Sequence, residues 1–423
     1  MFVRFQNKQS ERWRAADSSA MRAHNTSMLL HCLFAEEPIS RASLSRRLGL
    51  SRSTVSGIVG ELLDAGLVEE SHVAASRGGR PPIALKVCRD RLHLLGVELG
   101  ASHVMVVRTN LQGELQETKG AAFPVQHDPE GALRLVERLL GEVADGEQGS
   151  AIAGVGLAVP SPLDPARPGL LSERILPAWQ GVQPAARLTE ALGLPVYMDN
   201  DANLGALAES RWGAGAGVSD FAYIKVATGV GAGLIIGGEI YRGAAGIAGE
   251  IGHTAIDPDG PQCRCGLSGC LEAMIGSQAL AARARARLTA AGRTGIDDAA
   301  LSLPSLIAAA RDGDPLAAGL IEEAGHDLGV AIANLLNLLN PGVVVLGGTL
   351  ASAGEMLLAP LRAAMRDRSL STSLESTEVH TSPLGDRVVA IGAAALVLHH
   401  ALRPPELLFL PGGAPRSSIP QSH

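Results

Sequence analysis

Apolar residues near the beginning of the chain repeat at the spacing of an α-helix in three short stretches. The first runs from about Thr26 to Ala35, the second from Arg41 to Leu48, and the third begins after Ser51. The apolar face of the third stretch consists of Val55, Ile58, Val59, Leu62 and Leu63. Ser40 and Ser51 stand where helix N-caps are expected, and Gly66 stands just past the third helix. The pattern predicts three consecutive helices.

Two short strand patterns follow, at Leu67–Glu70 and Ile83–Val87, with Arg77-Gly-Gly-Arg80-Pro-Pro between them. Together with the three helices they predict a winged helix-turn-helix, a DNA-binding fold. Arg77 and Arg80 would lie at the tip of a slim wing that enters a minor groove, although an ordinary solvent loop is the alternative. The exposed face of the third helix would enter the major groove through Arg52, Ser53, Thr54 and Ser56.

From about Leu92 onward, strand patterns alternate with helical patterns, which predicts an α/β fold. The predicted strands of a first half are Leu92–Glu98, Val104–Asn110, one after Gly113, Ile152–Ala158 and Pro195–Met198, with helices at Leu133–Val143 and Asn203–Trp212. A second half would contain strands at Phe221–Ala227, Gly233–Gly237 and Val343–Leu346, with helices at Ala317–Leu339, Met356–Arg366 and Ile391–Leu402.

These patterns divide the chain into four segments. Residues 1–20 are polar without a clear period and are predicted to form a flexible arm. Residues 21–90 form the winged helix-turn-helix, and residues 91–403 form the larger two-lobed domain. Residues 404–423 are rich in Pro, Gly and Ser, so a disordered tail is expected.

Charge is divided unevenly between these segments. Residues 1–92 contain 14 Lys and Arg against 9 Asp and Glu, a net charge of +5, which leaves −12 for the rest of a chain with a net charge of −7. A basic head on an acidic body indicates DNA contact through the head alone. The chain shows no apolar run of membrane length and no signal-peptide pattern, so a cytoplasmic location without membrane contact is expected.

Three of the five cysteines lie close together, at Cys263, Cys265 and Cys270, and His253 lies shortly before them. Thiolates this close to an imidazole suit a tetrahedral zinc ion with Cys₃His ligands. Because four protein ligands leave no open position, the zinc would be structural. A group of buried, inert cysteines is the alternative.

The run from Glu250-Ile-Gly-His253 through Cys263-x-Cys265-Gly-x-x-Gly-Cys270-x-Glu272 resembles the signature of the ROK family, whose name stands for repressors, open reading frames and kinases. The resemblance implies an actin-like, ribonuclease-H-like domain of two lobes with a structural zinc beside a sugar pocket. It also implies that Glu250, His253 and Glu272 contact sugar hydroxyls. The helix-turn-helix segment resembles the DNA-binding head of the family's repressors.

A second polar run, Asp199-Asn-Asp-Ala-Asn203, follows a predicted strand and begins a helix. A helix N-cap is one interpretation, because Asp and Asn commonly supply caps. The resemblance implies another, in which Asn200 binds sugar and Asp201 holds the acceptor hydroxyl, and acts as the general base if the chain is a kinase. Trp179 could stack on a sugar ring or be packed beneath a loop.

The predicted phosphate-binding side departs from the kinase pattern. ROK kinases begin this fold with D-x-G-G-T, whose aspartate holds Mg²⁺, whereas this chain has Glu98-Leu-Gly-Ala-Ser102. A second glycine-rich run, Ala227–Gly233, resembles the family's second phosphate loop, with a plain hairpin turn as the alternative. Asn340–Gly348 resembles the nucleotide-side segment of the family. ATP and Mg²⁺ are therefore not expected as cofactors.

The sequence thus favours a sugar-responsive transcriptional regulator, a repressor of carbohydrate-metabolism genes, over an enzyme. Operator DNA and a small sugar or sugar derivative would be its partners, and the chain would act as a homodimer or homotetramer. The alternative is an ATP-dependent sugar kinase of the ROK hexokinase or glucokinase type. A third possibility is a DNA-binding protein whose larger domain serves only for dimerisation.

Overall fold

The computed structural model describes residues 18–72, 83–144, 151–295, 297–370 and 377–402. The chain divides between Arg91 and Leu92 into two compact units, with described residues 399–402 grouped with the first. The predicted arm up to residue 17, the wing tip with Arg77 and Arg80, and the predicted tail from residue 404 lie outside the described residues.

The first unit contains three helices and a small antiparallel sheet. Its elements are α1 (Ser18–Glu36), β1 (Ile39–Ser40), α2 (Arg41–Leu48), α3 (Arg52–Asp64), β2 (Val68–His72) and β3 (Ile83–Val87). Strand β3 lies between β1 and β2 and is antiparallel to both. Three helices followed by a strand pair were predicted, and the structure adds the short strand β1.

The helix ends of this unit follow from local hydrogen bonds. Ser40 accepts a hydrogen bond from the Ser43 amide at 3.2 Å, and Ser51 accepts one from the Thr54 amide at 3.0 Å, so both predicted N-caps are present. Helix α1 begins at Ser18, earlier than the predicted start near Thr26 and inside the predicted arm 1–20. The early turns lack a regular apolar face, but residues such as Ala20 and Met21 favour helix and extend it.

The second unit is built from two five-stranded sheets with helices around them. The first half contains β4 (Leu92–Leu99), β5 (His103–Thr109), β6 (Leu115–Ala122), α4 (Pro129–Ala144), β7 (Ala151–Val159), α5 (Pro184–Leu192), β8 (Val196–Asn200) and α6 (Asp201–Trp212). The second half contains β9 (Phe221–Val226), β10 (Val230–Ile236), β11 (Glu239–Ile240), α7 (Leu271–Ile275), α8 (Ser277–Ala290), α9 (Leu303–Arg311), α10 (Pro315–Leu339), β12 (Val343–Gly347), α11 (Glu355–Arg368), β13 (Glu378–Thr381) and α12 (Val388–Ala401).

The two sheets have the same strand order. The first runs β6-β5-β4-β7-β8 and the second β11-β10-β9-β12-β13. In each half the first three strands form an antiparallel meander, and the fourth strand pairs in parallel with the first and with the fifth. The predicted repetition of one α/β pattern therefore agrees with the observed topology.

Helices α6 and α12 pack closely on each other and on the first sheet. A Cβ at Gly392 of α12 would lie 1.8 Å from the Leu204 carbonyl oxygen of α6, and one at Gly156 of β7 would lie 1.7 Å from the Ala393 carbonyl oxygen. Only glycine permits such backbone approach. Because α6 also packs against β9 and β10, its N-terminus is held between the two sheets.

Two further boundaries differ from the predictions. Helix α4 begins at Pro129 rather than Leu133, because Asp128 accepts a hydrogen bond from the Gly131 amide at 2.8 Å and Pro129 suits the first helical position. Strand β10 begins at Val230, three residues before the predicted Gly233. Within the described residues, no helix combines the length and the apolar character needed to cross a membrane.

Candidate functional site

The polar run Asp199–Asn203 lies at the junction of β8 and α6. The side-chain oxygen of Asn200 accepts hydrogen bonds from the Ala202 amide at 2.9 Å and the Asn203 amide at 3.2 Å, so Asn200 caps α6. Asp199 is buried and accepts hydrogen bonds from the Asn203 side chain and from Arg242. Both capping bonds use the oxygen of Asn200, so its amide nitrogen is the group that could meet a ligand.

The glycine-rich run Ala227–Gly233 forms the tight turn between β9 and β10 and continues into β10. The Val230 amide does not point to open space, because it donates a hydrogen bond to Oε2 of Glu272 at 3.0 Å. The other oxygen of Glu272 accepts a hydrogen bond from Arg264 at 2.8 Å. The turn therefore holds a carboxylate of its own chain.

Glu250 and His253 face this turn from the loop after β11. Nε2 of His253 lies 3.8 Å from Oε2 of Glu250. Burial raises the pKa of Glu250; His253 opposes this, while the carboxylates of Asp201 and Glu272 add to it. A raised pKa means that the protonated carboxyl group, which can donate as well as accept a hydrogen bond, persists to a higher pH than in an ordinary glutamate.

The other ring nitrogen of His253, Nδ1, faces the cysteine cluster. Nδ1 of His253 lies 3.7 Å from Sγ of Cys263, and the sulfurs of Cys265 and Cys270 lie 3.6 Å apart. The candidate ligand atoms of these four residues lie within 4.8 Å of one another. Burial, followed by hydrogen bonds from the neighbouring thiols, raises the pKa of Cys270 to about 12. A metal cation would reverse that shift because it favours the thiolate.

A pocket collects the residues that were predicted to bind sugar. All five of them line it, namely Asn200, Asp201, Glu250, His253 and Glu272. The glycine turn forms one wall, and Pro160 and Pro162 form another. Three carboxylates, an amide and an imidazole converge on this pocket between apolar and glycine walls, which suits hydrogen bonding to a small polyhydroxy ligand.

A second cavity of about 640 Å³ lies next to this pocket. Gly347, Gly348 and Thr349 line it, which places the end of the predicted nucleotide-side segment there. Lys225, His103 and Ala227 line both cavities, so these residues stand at the boundary between them.

Three residues of the site were not predicted from the sequence. Lys225 bridges Glu98 and Asp201, Arg264 binds Glu272, and Arg242 binds Asp199. A charged residue inside the apolar strand Phe221–Val226 was the available signal for Lys225. For Arg264, the available signal was its position between the two predicted metal ligands Cys263 and Cys265.

Trp179 does not line the pocket. It is 1% exposed, packs in the core of the first half, and donates a hydrogen bond from Nε1 to the Val125 carbonyl at 2.8 Å. Of the two interpretations of this residue, packing beneath a loop is therefore the one observed.

In the first unit, α3 presents the predicted DNA-contacting residues on its outer face. Arg52, Ser53 and Ser56 are exposed, and Thr54 is half-buried. The hydroxyls of Ser53 and Thr54 each lie 2.8 Å from the hydroxyl of Ser51, within the helix cap. Val55, Ile58, Val59 and Leu62 are buried on the other face.

Comparisons with known proteins agree with both units. A family model described as the ROK family matches residues 94–400, and one described as winged helix-turn-helix DNA-binding matches residues 23–69. The xylose repressor of Caldicellulosiruptor bescii is 33% identical over 394 residues, covering 90% of this chain and 97% of that protein.

One further relative and one solved structure are also similar to this chain. A glucokinase of Thermotoga maritima is 30% identical over 316 residues, covering 73% of this chain and 98% of that protein. A solved structure of a ROK family transcriptional regulator, a homolog of the E. coli MLC protein, matches with a TM-score of 0.76 and 29% identity over 92% of this chain and 98% of that one.

Proposed function

Because the chain belongs to the ROK family and has both a winged helix-turn-helix unit and a pocket on which polar side chains converge, we propose that it is a sugar-responsive transcriptional repressor of carbohydrate-metabolism genes. The observation that carries this proposal is the convergence of five polar side chains on one pocket in a chain that also has a recognition helix. The relative with a repressor's name covers more of the chain than the glucokinase does.

In this proposal a monosaccharide or derivative is held by Asn200, Asp201, Glu250, His253 and Glu272. Asn200 donates through its amide nitrogen, and the carboxylates accept from sugar hydroxyls. Such paired hydrogen bonds give specificity, because an analogue that lacks a hydroxyl leaves a buried polar group unpaired. Asp201 would be a general base only in the kinase alternative.

A structural zinc ion completes the site in this proposal, held by His253, Cys263, Cys265 and Cys270. Zinc–sulfur bonds of about 2.3 Å in a tetrahedron place two sulfurs about 3.8 Å apart. The distances of 3.6 and 3.7 Å within the cluster support this assignment. His253 would bind zinc through Nδ1, since that nitrogen faces Cys263, and would turn Nε2 toward Glu250 and the sugar.

Operator DNA is the other partner. Arg52, Ser53, Thr54 and Ser56 of α3 would read the major groove, and Arg77 and Arg80 of the wing would contact the minor groove. Two or four copies of the chain would bind a pseudo-palindromic operator, because a symmetric dimer presents two recognition helices to two half-sites. Sugar binding would move the zinc loop through His253 and thereby change the affinity for DNA, which is allosteric coupling.

The experiment that tests this function measures fluorescence anisotropy of DNA fragments taken from upstream of the encoding gene and its neighbours. The full chain is titrated with and without a panel of pentoses, hexoses and N-acetyl sugars. A specific fragment should bind with a dissociation constant of about 10⁻⁸ to 10⁻¹¹ M. At least one sugar should change that constant by about fivefold or more.

Three variants localise the effects. Asn200→Ser keeps a capping oxygen but removes the amide donor, so it should bind DNA normally and lose the sugar response. Arg52→Ala should weaken DNA binding by about 1–3 kcal/mol. Lys86→Ala removes an equal charge from the exposed side of β3 and serves as its control. If no sugar altered DNA binding, or if Arg52→Ala and Lys86→Ala behaved alike, the proposal would be contradicted.

A further inference from the structure

A largely buried lysine joins two carboxylates at the boundary between the two cavities. Nζ of Lys225 lies 2.8 Å from Oε1 of Glu98 and 2.9 Å from Oδ2 of Asp201. The side chains of Lys225, Glu98 and Asp201 are 15%, 4% and 16% exposed. They come from β9, from β4 and from the first turn of α6, so three elements converge on one ammonium group.

The lysine offsets one of the two negative charges in this group and lies between the carboxylates that carry them. Two carboxylates that share a dry site repel each other unless a cation lies between them. Burial raises the pKa of Glu98, but Lys225 and His103 outweigh burial and lower the pKa to about 2. Burial lowers the pKa of Lys225, and Asp201 and Glu98 more than reverse this. Lys225 and Glu98 are therefore both charged across the neutral range.

A divalent metal ion would need the same carboxylate oxygens. Mg²⁺ binds carboxylates and water at about 2.0–2.1 Å in octahedral geometry. Both carboxylates that face this point already accept hydrogen bonds from the ammonium group of Lys225. The donor set at the Glu98–Asp201 pair therefore does not fit a metal ion as well as it fits the lysine.

The two predicted phosphate loops are filled in a similar way. Nε2 of His103 lies 3.7 Å from Oε1 of Glu98. The ring of His103 covers Gly100 so closely that a Cβ at Gly100 would lie 2.2 Å from its Cε1. In the glycine turn, the Val230 amide is bound by Glu272 at 3.0 Å. Groups of this chain thus stand where a metal–phosphate complex would be held.

We propose that Lys225 is a resident cation in the place of a divalent metal ion, so that the pocket binds a neutral polyhydroxy ligand without metal or nucleotide. Arg264, which also lines the pocket, is likewise paired within the chain, with Glu272. Lys225 fixes the Asp201 carboxylate as a hydrogen-bond acceptor and links it to Glu98. The part concerning the ligand rests on the proposed function, whereas the part concerning the cation does not.

Titration with Mn²⁺ alone tests the cation assignment, with unbound Mn²⁺ followed by electron paramagnetic resonance. Mn²⁺ suits carboxylate oxygens, whereas thiolate sites select softer ions, so the cysteine cluster should not interfere. We compare the full-length wild-type chain with four variants: Lys225→Met, Glu98→Gln, the Lys225→Met and Glu98→Gln double variant, and Lys119→Met. Lys119 lies on β6 with its side chain 43% exposed and controls for loss of a surface charge.

Lys225→Met should bind Mn²⁺ about tenfold or more tightly than the wild type, because two carboxylates lose their cation. The double variant should lose that gain, and Lys119→Met should match the wild type. The assignment is overturned if Lys225→Met gains no affinity for Mn²⁺, or if the wild type binds Mn²⁺ and Glu98→Gln abolishes that binding.

The comparison between the wild type and Glu98→Gln does not require that a Lys225 variant folds. If no sugar of the panel changed the affinity of the chain for DNA, the proposed function would be refuted, and these Mn²⁺ results would be unaffected.

Discussion

Asn200 and Asp201 show how single side chains serve structure and site together. The oxygen of Asn200 caps α6, while the residue also lines the pocket. The sequence left a helix cap and a sugar contact as alternatives, and the geometry permits both because they use different atoms. Asp201 lies in the first turn of the same helix, where a negative charge is favoured. Lys225 donates a hydrogen bond to Oδ2 of Asp201. A change at Asp201, or a change at Asn200 that removes the capping oxygen, therefore affects folding and ligand binding at once.

Glu98 provides a prediction about pH. Its folded pKa of about 2 lies below the ordinary value of 4.5, so its ionised form stabilises the fold above about pH 4.5, and this stability is lost as the pH falls toward 2. Glu98→Gln should lower the free energy of unfolding by on the order of 3 kcal/mol at neutral pH, because it breaks a buried ion pair. The difference from the wild type should shrink between about pH 5 and pH 2.

Urea unfolding followed by tryptophan fluorescence measures this difference, since Trp179 and Trp212 lie in the second unit. Glu117→Gln is the matched control, because Glu117 is 40% exposed and lies 3.7 Å from Lys119. An exposed pair of this kind contributes less than about 1 kcal/mol. If the difference in free energy of unfolding between Glu98→Gln and the wild type stayed constant from pH 7 to pH 3, Lys225 would not hold Glu98 in its ionised form as described.

At the scale of elements, prediction from sequence succeeded where one face of an element is regularly apolar. Helix α3 is such a case, since Val55, Ile58 and Leu62 recur at helical spacing and are buried. Helix α8 was missed, because alternating Ala and Arg leave only Leu280, Ala284 and Leu288 buried. Its position depends instead on contacts distant in sequence, such as those of Arg283 and Arg287 with Glu323 of α10.

The same contrast holds for the site. Residues in compact motifs, such as Glu250, His253 and Glu272, could be singled out because the motif itself groups them. Lys225 could not be linked to Glu98 in this way, since 127 positions separate them and only the packing of the two sheets brings them together. Pairing across two lobes depends on tertiary structure that a one-dimensional pattern does not contain.

The cysteine loop between β11 and α7 carries the prediction about metal. Replacing Cys263 and Cys265 together by Ser should abolish zinc retention and sugar control of operator binding. The melting temperature should fall by about 5 °C or more, because loss of a structural zinc costs several kcal/mol. Metal content after dialysis and thermal unfolding measure these effects. Cys88→Ser lies outside the cluster and should retain zinc. Normal sugar control in a zinc-free double variant would contradict the role given to this loop.

At the scale of the whole molecule, the chain combines a unit suited to DNA with a unit suited to a small ligand. The charge division supports this separation, since residues 1–92 carry a net charge of +5 within a chain of net charge −7. In the proposals above, the pocket of the second unit binds a ligand, and Lys225 pairs with the two carboxylates that a metal ion would otherwise need. The proposed function requires that occupancy of this pocket changes the affinity of the first unit for DNA.

Reciprocity makes that coupling measurable from the sugar side. Isothermal titration of the active sugar into the full chain, alone and then saturated with operator DNA, gives two dissociation constants. The proposal predicts that they differ by about 5- to 150-fold, and by the same factor as the operator affinities with and without sugar. Equal sugar affinities for the free and the operator-bound chain would contradict the claim that this protein is a sugar-responsive regulator.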